Sequence, residues 1–323
     1  MNAAGRLTAF GAGLAVAFTA AYVTAAAVVP DTAATSFQTQ TSDAAADHSA
    51  PPTEQASPVD PFADPPGLSL AEDGYVLSPV RSPSAPNDRG TMSFTIVDPG
   101  GTPLLDYANV HDKQLHLIVV RSDGQHFAHV HPRLDAATGT WSTPWTWNAA
   151  GTYRVFADFQ PAGAGSAKLT LTRTVQVAGA FVPAVASATR TVDEIAGYTV
   201  KLDGALTAGV SHQLTATVTR DGRPVMTLQP YLGAYGHLVA LREGDLAYLH
   251  VHPEGAEPVP GGTGGPAVSF AATAPTAGRY LLYLDFKVQD TVHTASFVVD
   301  AAPGGTNEPA PEPSRDAGHA GGH

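Results

Sequence analysis

The chain has 323 residues, with 17 basic and 29 acidic side chains and a formal charge of −12. That balance disfavours nucleic acid and anionic membrane surfaces as partners. Cysteine is absent, which excludes disulfides, thiolate metal sites and cysteine nucleophiles, whereas histidine numbers 13.

In chain order, Arg6 precedes an uncharged run from Leu7 to Val29. Its 23 residues are enough to span a bilayer as a helix. The alternative is a signal peptide cleaved near Ala25 or Ala27. Either reading puts the rest of the chain outside the cytoplasm, on the cell membrane or secreted. Residues 1–30 are thus expected to be an anchor, and the anchored reading is preferred because the apolar run is long. Residues 31–66 are rich in Ala, Ser, Thr, Pro and Asp without Lys or Arg, the composition of a flexible acidic spacer. Residues 302–323 have the composition of a disordered tail.

Between these segments lie short apolar or alternating runs broken by Gly, Pro, Asp and Asn. MSFTIVD, LHLIVV, TYRVFADF, LTATVTR, HLVALR, YLLYLDF and ASFVVD all read as strands, and no amphipathic helix appears. The predicted fold is all-β. The region is also an internal repeat. Residues 103–132 align without gaps on residues 224–253 at a constant offset of 121. AGTYRVFADF (150–159) meets AGRYLLYLDF (277–286) at an offset of 127, with the insertion at GGTGG, 261–265. Each copy has the size of an immunoglobulin-like sandwich. Two tandem immunoglobulin-like β-sandwiches are expected, over 67–179 and 180–301.

The repeat carries FAHVHP (127–132) and YLHVHP (248–253). A two-residue turn at Asp123-Gly124 predicts a hairpin in which paired residue numbers add to 247. His116 then opposes His131, and Ile118 opposes His129. Residues i and i+2 share a strand face, so His116, His129 and His131 project together. A turn at Gly244-Asp245 does the same for His237, His250 and His252, with pairs adding to 489. Opposed β-carbons lie about 4.5–5.5 Å apart, close enough for two imidazoles to share an ion. Imidazole suits Cu(II), Zn(II) and Ni(II). Asp158 and its equivalent Asp285 are candidate acceptors for the second ring nitrogen. His293 is a candidate further ligand in the second copy, and His111 in the first. Those additions favour the second copy as the tighter site. Arg121 and Arg242 are expected to pair with the aligned aspartates, and Phe127 and Tyr248 to be core aromatics.

The layout of apolar segment, acidic spacer and two β domains with His-Val-His-Pro resembles uncharacterised two-repeat secreted proteins of actinobacteria. Histidine-bearing β domains outside the cytoplasm are similar to periplasmic copper carriers with immunoglobulin-like or cupredoxin-like folds, which implies copper handling. The methionine and N-terminal histidine signatures of those carriers are missing. FAHVHP and YLHVHP also resemble the copper-binding strand of copper/zinc superoxide dismutases, without that family's cysteines or zinc loop. GDLAYLHVHPEG (244–255) is similar to a cupin's first motif, with no second motif downstream.

No nucleophile elbow, phosphate loop or dinucleotide fingerprint is present. The preferred reading is extracytoplasmic binding of a copper or zinc ion, copper(II) first. Two others stay open: a structural or protein-interaction module whose histidines bond internally, and a metal-dependent enzyme.

Overall fold

The computed structural model describes residues 66–184, 188–249, 251–259 and 261–304. The proposed anchor, most of the spacer, most of the C-terminal tail and His250 lie outside the described residues. Within them the chain is all-β, folded as two sandwiches built from the two repeats.

The first repeat contributes β1 (Ala71–Glu72), β2 (Tyr75–Leu77), β3 (Arg89–Val97), β4 (Leu115–Arg121), β5 (Ala128–Val130), β6 (Arg133–Asp135), β7 (Thr140–Thr146), β8 (Gly151–Phe159) and β9 (Leu169–Val177). One sheet runs β1-β2-β3-β7-β6 and the other β5-β4-β8-β9. The second repeat contributes β10 (Val192–Ile195), β11 (Tyr198–Asp203), β12 (Leu206–Thr207), β13 (Ser211–Arg220), β14 (Arg223–Pro224), β15 (His237–Arg242), β16 (Tyr248–Leu249), β17 (Val251–Glu254), β18 (Ala267–Thr273), β19 (Gly278–Val288) and β20 (Thr291–Ala302). Its sheets run β10-β11-β13-β18-β17 and β12-β20-β19-β15-β16.

The outer sheets follow the alternation of a half-buried strand. Met92, Phe94 and Ile96 point inward from β3, as do Leu214, Ala216 and Val218 from β13. In each repeat the first tyrosine of Ala-Gly-x-Tyr bonds back over the strand start. Tyr153 donates its hydroxyl to the Ala149 carbonyl at 3.0 Å, and Tyr280 to Thr276 at 2.9 Å. That is the tyrosine corner of immunoglobulin-like domains.

The run LHLIVV is apolar without alternation because β4 is buried on both faces. Leu115, Leu117 and Val119 enter the core of their own sandwich. Ile118 and Val120 point the other way, into a third cluster with Phe156, Val239, Leu241, Leu246, Tyr248 and Tyr283. In β15 the same division puts Leu238 and Ala240 in the core, and Val239 and Leu241 in the shared cluster. This shared cluster joins the sandwiches, and equivalent residues of the two repeats build it. Phe127 stacks on Tyr283 at 4.0 Å, and Tyr248 meets Phe156 at 6.0 Å. Phe127 and Tyr248 therefore serve the junction between sandwiches, not the core of either. Tyr283 also donates its hydroxyl to the Gly124 carbonyl, and Arg154 donates to the Asp245 carbonyl.

The strand register agrees with the sequence, but both turns are longer than the expected two residues: in the second, Arg242 N–H donates to the Ala247 carbonyl, which leaves four residues in the loop. Leu117 opposes Val130 and Ile118 opposes His129, pairs that add to 247. At the turn itself Arg121 N–H donates to the Gln125 carbonyl, so the loop has three residues, not two. His126, at a φ of +54°, supplies the extra residue of a β-bulge before β5 and restores the register. In the second repeat Ala240 opposes Leu249 and Leu241 opposes Tyr248, pairs that add to 489. The arginines also differ from expectation. Arg121 grips Asp123 at 2.8 Å through two nitrogens, and Arg242 grips Asp245. Each closes its own turn instead of reaching the strand aspartates.

A junction packed this way couples the sandwiches. Calorimetry should show one unfolding transition for the two. Ile118→Ala should cost about 2–5 kcal/mol, and Ile118→Glu should split the transition. An unsplit transition in Ile118→Glu would show that the sandwiches unfold together without this cluster.

Candidate metal centre

His116 is the second residue of β4, on the face that carries Ile118 and Val120 towards the second repeat. His129 stands opposite Ile118 on β5. His131 follows where the chain passes from β5 to β6, and so from one sheet to the other. The three histidines bring one nitrogen each within 4.8 Å of one another. His116 Nδ1 lies 3.0 Å from His129 Nε2 and 3.2 Å from His131 Nε2.

The other two nitrogens of the central pair are already engaged. His116 Nε2 is 3.0 Å from the Val110 carbonyl. His129 Nδ1 is 2.8 Å from Asp285 Oδ2, with the His129 side chain 0% exposed and Asp285 3%. A carbonyl and a carboxylate only accept, so both of these nitrogens carry hydrogen. A neutral imidazole has one N–H and one lone pair. His116 Nδ1 and His129 Nε2 therefore face each other as bare lone pairs. That contact is repulsive unless a cation lies between, either a proton or a metal ion. Three nitrogens at 2.0–2.1 Å from a tetrahedral ion are about 3.3 Å apart, close to the spacing here.

Asp285 belongs to the second repeat. It lies opposite His237 on β19, takes a hydrogen bond from Thr294, and reaches across the junction to orient a histidine of the first. Sequence spacing suggested that each aspartate would serve its own repeat. Its equivalent Asp158, opposite His116, instead holds Thr170 at 3.0 Å and Lys168 at 2.9 Å. Tyr231 of the second repeat adds a ring 6.3 Å from His131. Burial, then the field of Asp285, pushes its hydroxyl up to about 12. Neither the Val110 carbonyl nor Tyr231 was legible in the histidine pattern.

The second repeat is arranged differently. His237 is buried and stacks on His116 across the junction, with centroids 5.5 Å apart and planes 1° from parallel. His252 lies on β17, which pairs with β18 in the other sheet, and it is exposed. The chain changes sheets earlier here: Val251 already pairs with Ala272, whereas its equivalent Val130 still pairs with Leu117. His293 pairs with Phe286, so it points to the face opposite Asp285. It packs against Tyr198 at 5.1 Å and Phe286 at 5.4 Å. Among the described residues the histidine triplet is assembled in the first repeat; His250, the middle member of the second, lies outside them.

Burial, followed by the neighbouring His129, holds His116 down to about 4. Burial, then His129 and His116, holds His131 down to about 3. Unfolded imidazoles titrate near 6.5. Between about 6.5 and those lowered values the unfolded chain binds protons that the fold refuses, so stability falls as pH falls. The metal-free protein should need less urea to unfold at about pH 5 than at about pH 7.5. Equal midpoints would contradict the burial of neutral rings.

Residues 71–179 and 190–303 both match the profile of DUF8832, a domain of unknown function. No curated protein matches the chain. Among solved structures it is similar to a DUF4426 family protein of Pseudomonas aeruginosa PAO1, at 9% identity over 36% of this chain and 98% of that one, with a TM-score of 0.25. It is also similar to the Escherichia coli adhesin FdeC, at 17% identity over 73% and 66%, TM-score 0.22, and to the D0-D1 domain of intimin, at 14% over 68% and 92%, TM-score 0.21. Scores this low carry no argument about function. The two matched stretches cover more than half of the sequence, and the chain belongs to the DUF8832 family as a tandem pair of its domains.

Proposed function

We propose that this protein binds a divalent transition-metal ion outside the cytoplasm, through His116 Nδ1, His129 Nε2 and His131 Nε2, in metal handling or sensing. The observation that carries the reading is the fixed protonation of the first two rings. Val110 and Asp285 take the N–H groups, which leaves the lone pairs convergent. Ligating histidines commonly donate their second nitrogen to a carbonyl or carboxylate in this way. An all-imidazole set with an open position ranks Cu(II) above Zn(II). The uncharged segment 7–29 would hold the protein in the cell membrane, with both sandwiches on the outer side.

A structural reading also has an observation in its favour. A separation of 3.0 Å between His116 and His129 is the length of a hydrogen bond, so a shared proton could fill the same gap. Thermal melting with Cu(II) separates the two. At free metal 100 times the dissociation constant, the occupied site should add about 2.7 kcal/mol. His129→Ala should abolish that gain. Asp285→Asn should keep the fold and weaken binding by about 10-fold or more. An equal metal response in wild type and His129→Ala would leave the proton as occupant and remove the metal site.

A further inference from the structure

The junction relates the repeats by an approximate two-fold, and each repeat sends a tight turn to the other's histidines. The turn Val110–Lys113 closes by mutual backbone hydrogen bonds of 2.8 and 3.2 Å. Its equivalent at the offset of 121, Tyr231–Ala234, closes at 2.7 and 3.3 Å. The corner residues His111 and Leu232 both adopt the left-handed region, at φ values of +50° and +57°. They are the same position in the two repeats. The second repeat places an apolar residue there, and the first places a histidine.

The imidazole of His111 is packed against the second repeat. Its ring centroid is 5.5 Å from that of His237 and 6.1 Å from that of His116. Its Nδ1 is buried without a hydrogen-bond partner. A strained turn thus carries a half-buried imidazole to the junction and leaves its buried Nδ1 unsatisfied. Such an atom destabilises the fold if nothing binds it, whereas leucine at this corner would carry no such penalty. His237, beside it, is buried among other imidazoles. Asp158, the counterpart of Asp285, is close enough for its charge to favour a cation at His111, whereas a charge on His252 opposes one. Lys168 opposes a cation here, but its ammonium is held on Asp158 at 2.9 Å.

We propose that His111 and His237 are ligands of a second transition-metal ion, held across the junction beside the first. The inference rests on the triplet reading and extends it to a centre of two ions. His111 of the first repeat and His237 of the second would share the ion. Two fixed imidazoles make this the weaker and more exchangeable position. Imidazole ligation suits Cu(II), with water in the open positions.

The test is a count of Cu(II) bound by the full-length protein after passage over a desalting column. Each variant is compared with wild type, so that copper on the tail histidines cancels. His111→Leu installs the residue that the second repeat already carries at this corner with the same backbone, so it should fold. It should lose one equivalent, and His131→Ala should lose a different one. If only His131→Ala loses copper, the second site is overturned and the triplet stands. A loss confined to His111→Leu would overturn the triplet, and the premise of a paired centre with it. If neither variant loses copper, both sites are overturned.

Discussion

The hydrogen bond from His129 to Asp285 joins two sandwiches and sets the state of a ring at the same time. A buried, charge-assisted bond of this kind contributes about 1.5–3 kcal/mol. The apolar cluster beside it contributes more to docking, since each fully buried side chain gives about 1.5–3 kcal/mol and the cluster contains eight. Packing therefore holds the repeats together, and the hydrogen bond fixes what the junction can do. With its Nδ1–H committed, His129 presents only a lone pair to its neighbours. His116 is committed in the same sense by the Val110 carbonyl. The chemistry of the centre follows from those two acceptors more than from the number of histidines.

The duplicated sequence is used asymmetrically. Both repeats place a buried histidine at the junction, His116 and His237, each opposite an aspartate. Beyond that the copies part. One aspartate orients a histidine of the other repeat, and one holds a lysine. One chain stays with its first sheet through Val130, and the other has joined the second sheet by Val251. An earlier sheet change is enough to move a third histidine from the cluster to the surface. Identical motifs thus need not give identical sites when the strand that carries them is shared between two sheets.

Much of this was legible in the sequence because strand faces obey a period of two. The offset of 121 and the turn residues set which histidines oppose which, and the register matches in both hairpins. The two-residue turns expected at Asp123-Gly124 and Gly244-Asp245 are both longer loops; four residues in the second keep the register unaided, whereas the first has three. A bulge at His126 compensated, and bulges leave no periodic trace. The junction was harder to read. A strand buried on both faces gives an unbroken apolar run, as LHLIVV does, but the run does not say what covers the second face. For that reason Phe127 and Tyr248 read as core residues. Asp285 likewise read as a partner for its own repeat, and its role across the junction depends on docking that no local pattern encodes. His293, on the next strand, read as a further ligand of the second copy, although its pairing with Phe286 puts it on the face opposite Asp285.

The central claim is that the ring nitrogens are fixed in a mixed pattern: His116 coordinates through Nδ1, whereas His129 and His131 coordinate through Nε2. Long-range nitrogen–proton NMR of histidine side chains, on protein labelled with nitrogen-15 and loaded with Zn(II) as the diamagnetic ion, reads this directly. The account expects His116 to keep its proton on Nε2 and His129 to keep its proton on Nδ1, with the opposite nitrogen of each shifted by metal. A proton on His129 Nε2 that persists in saturating zinc would contradict it.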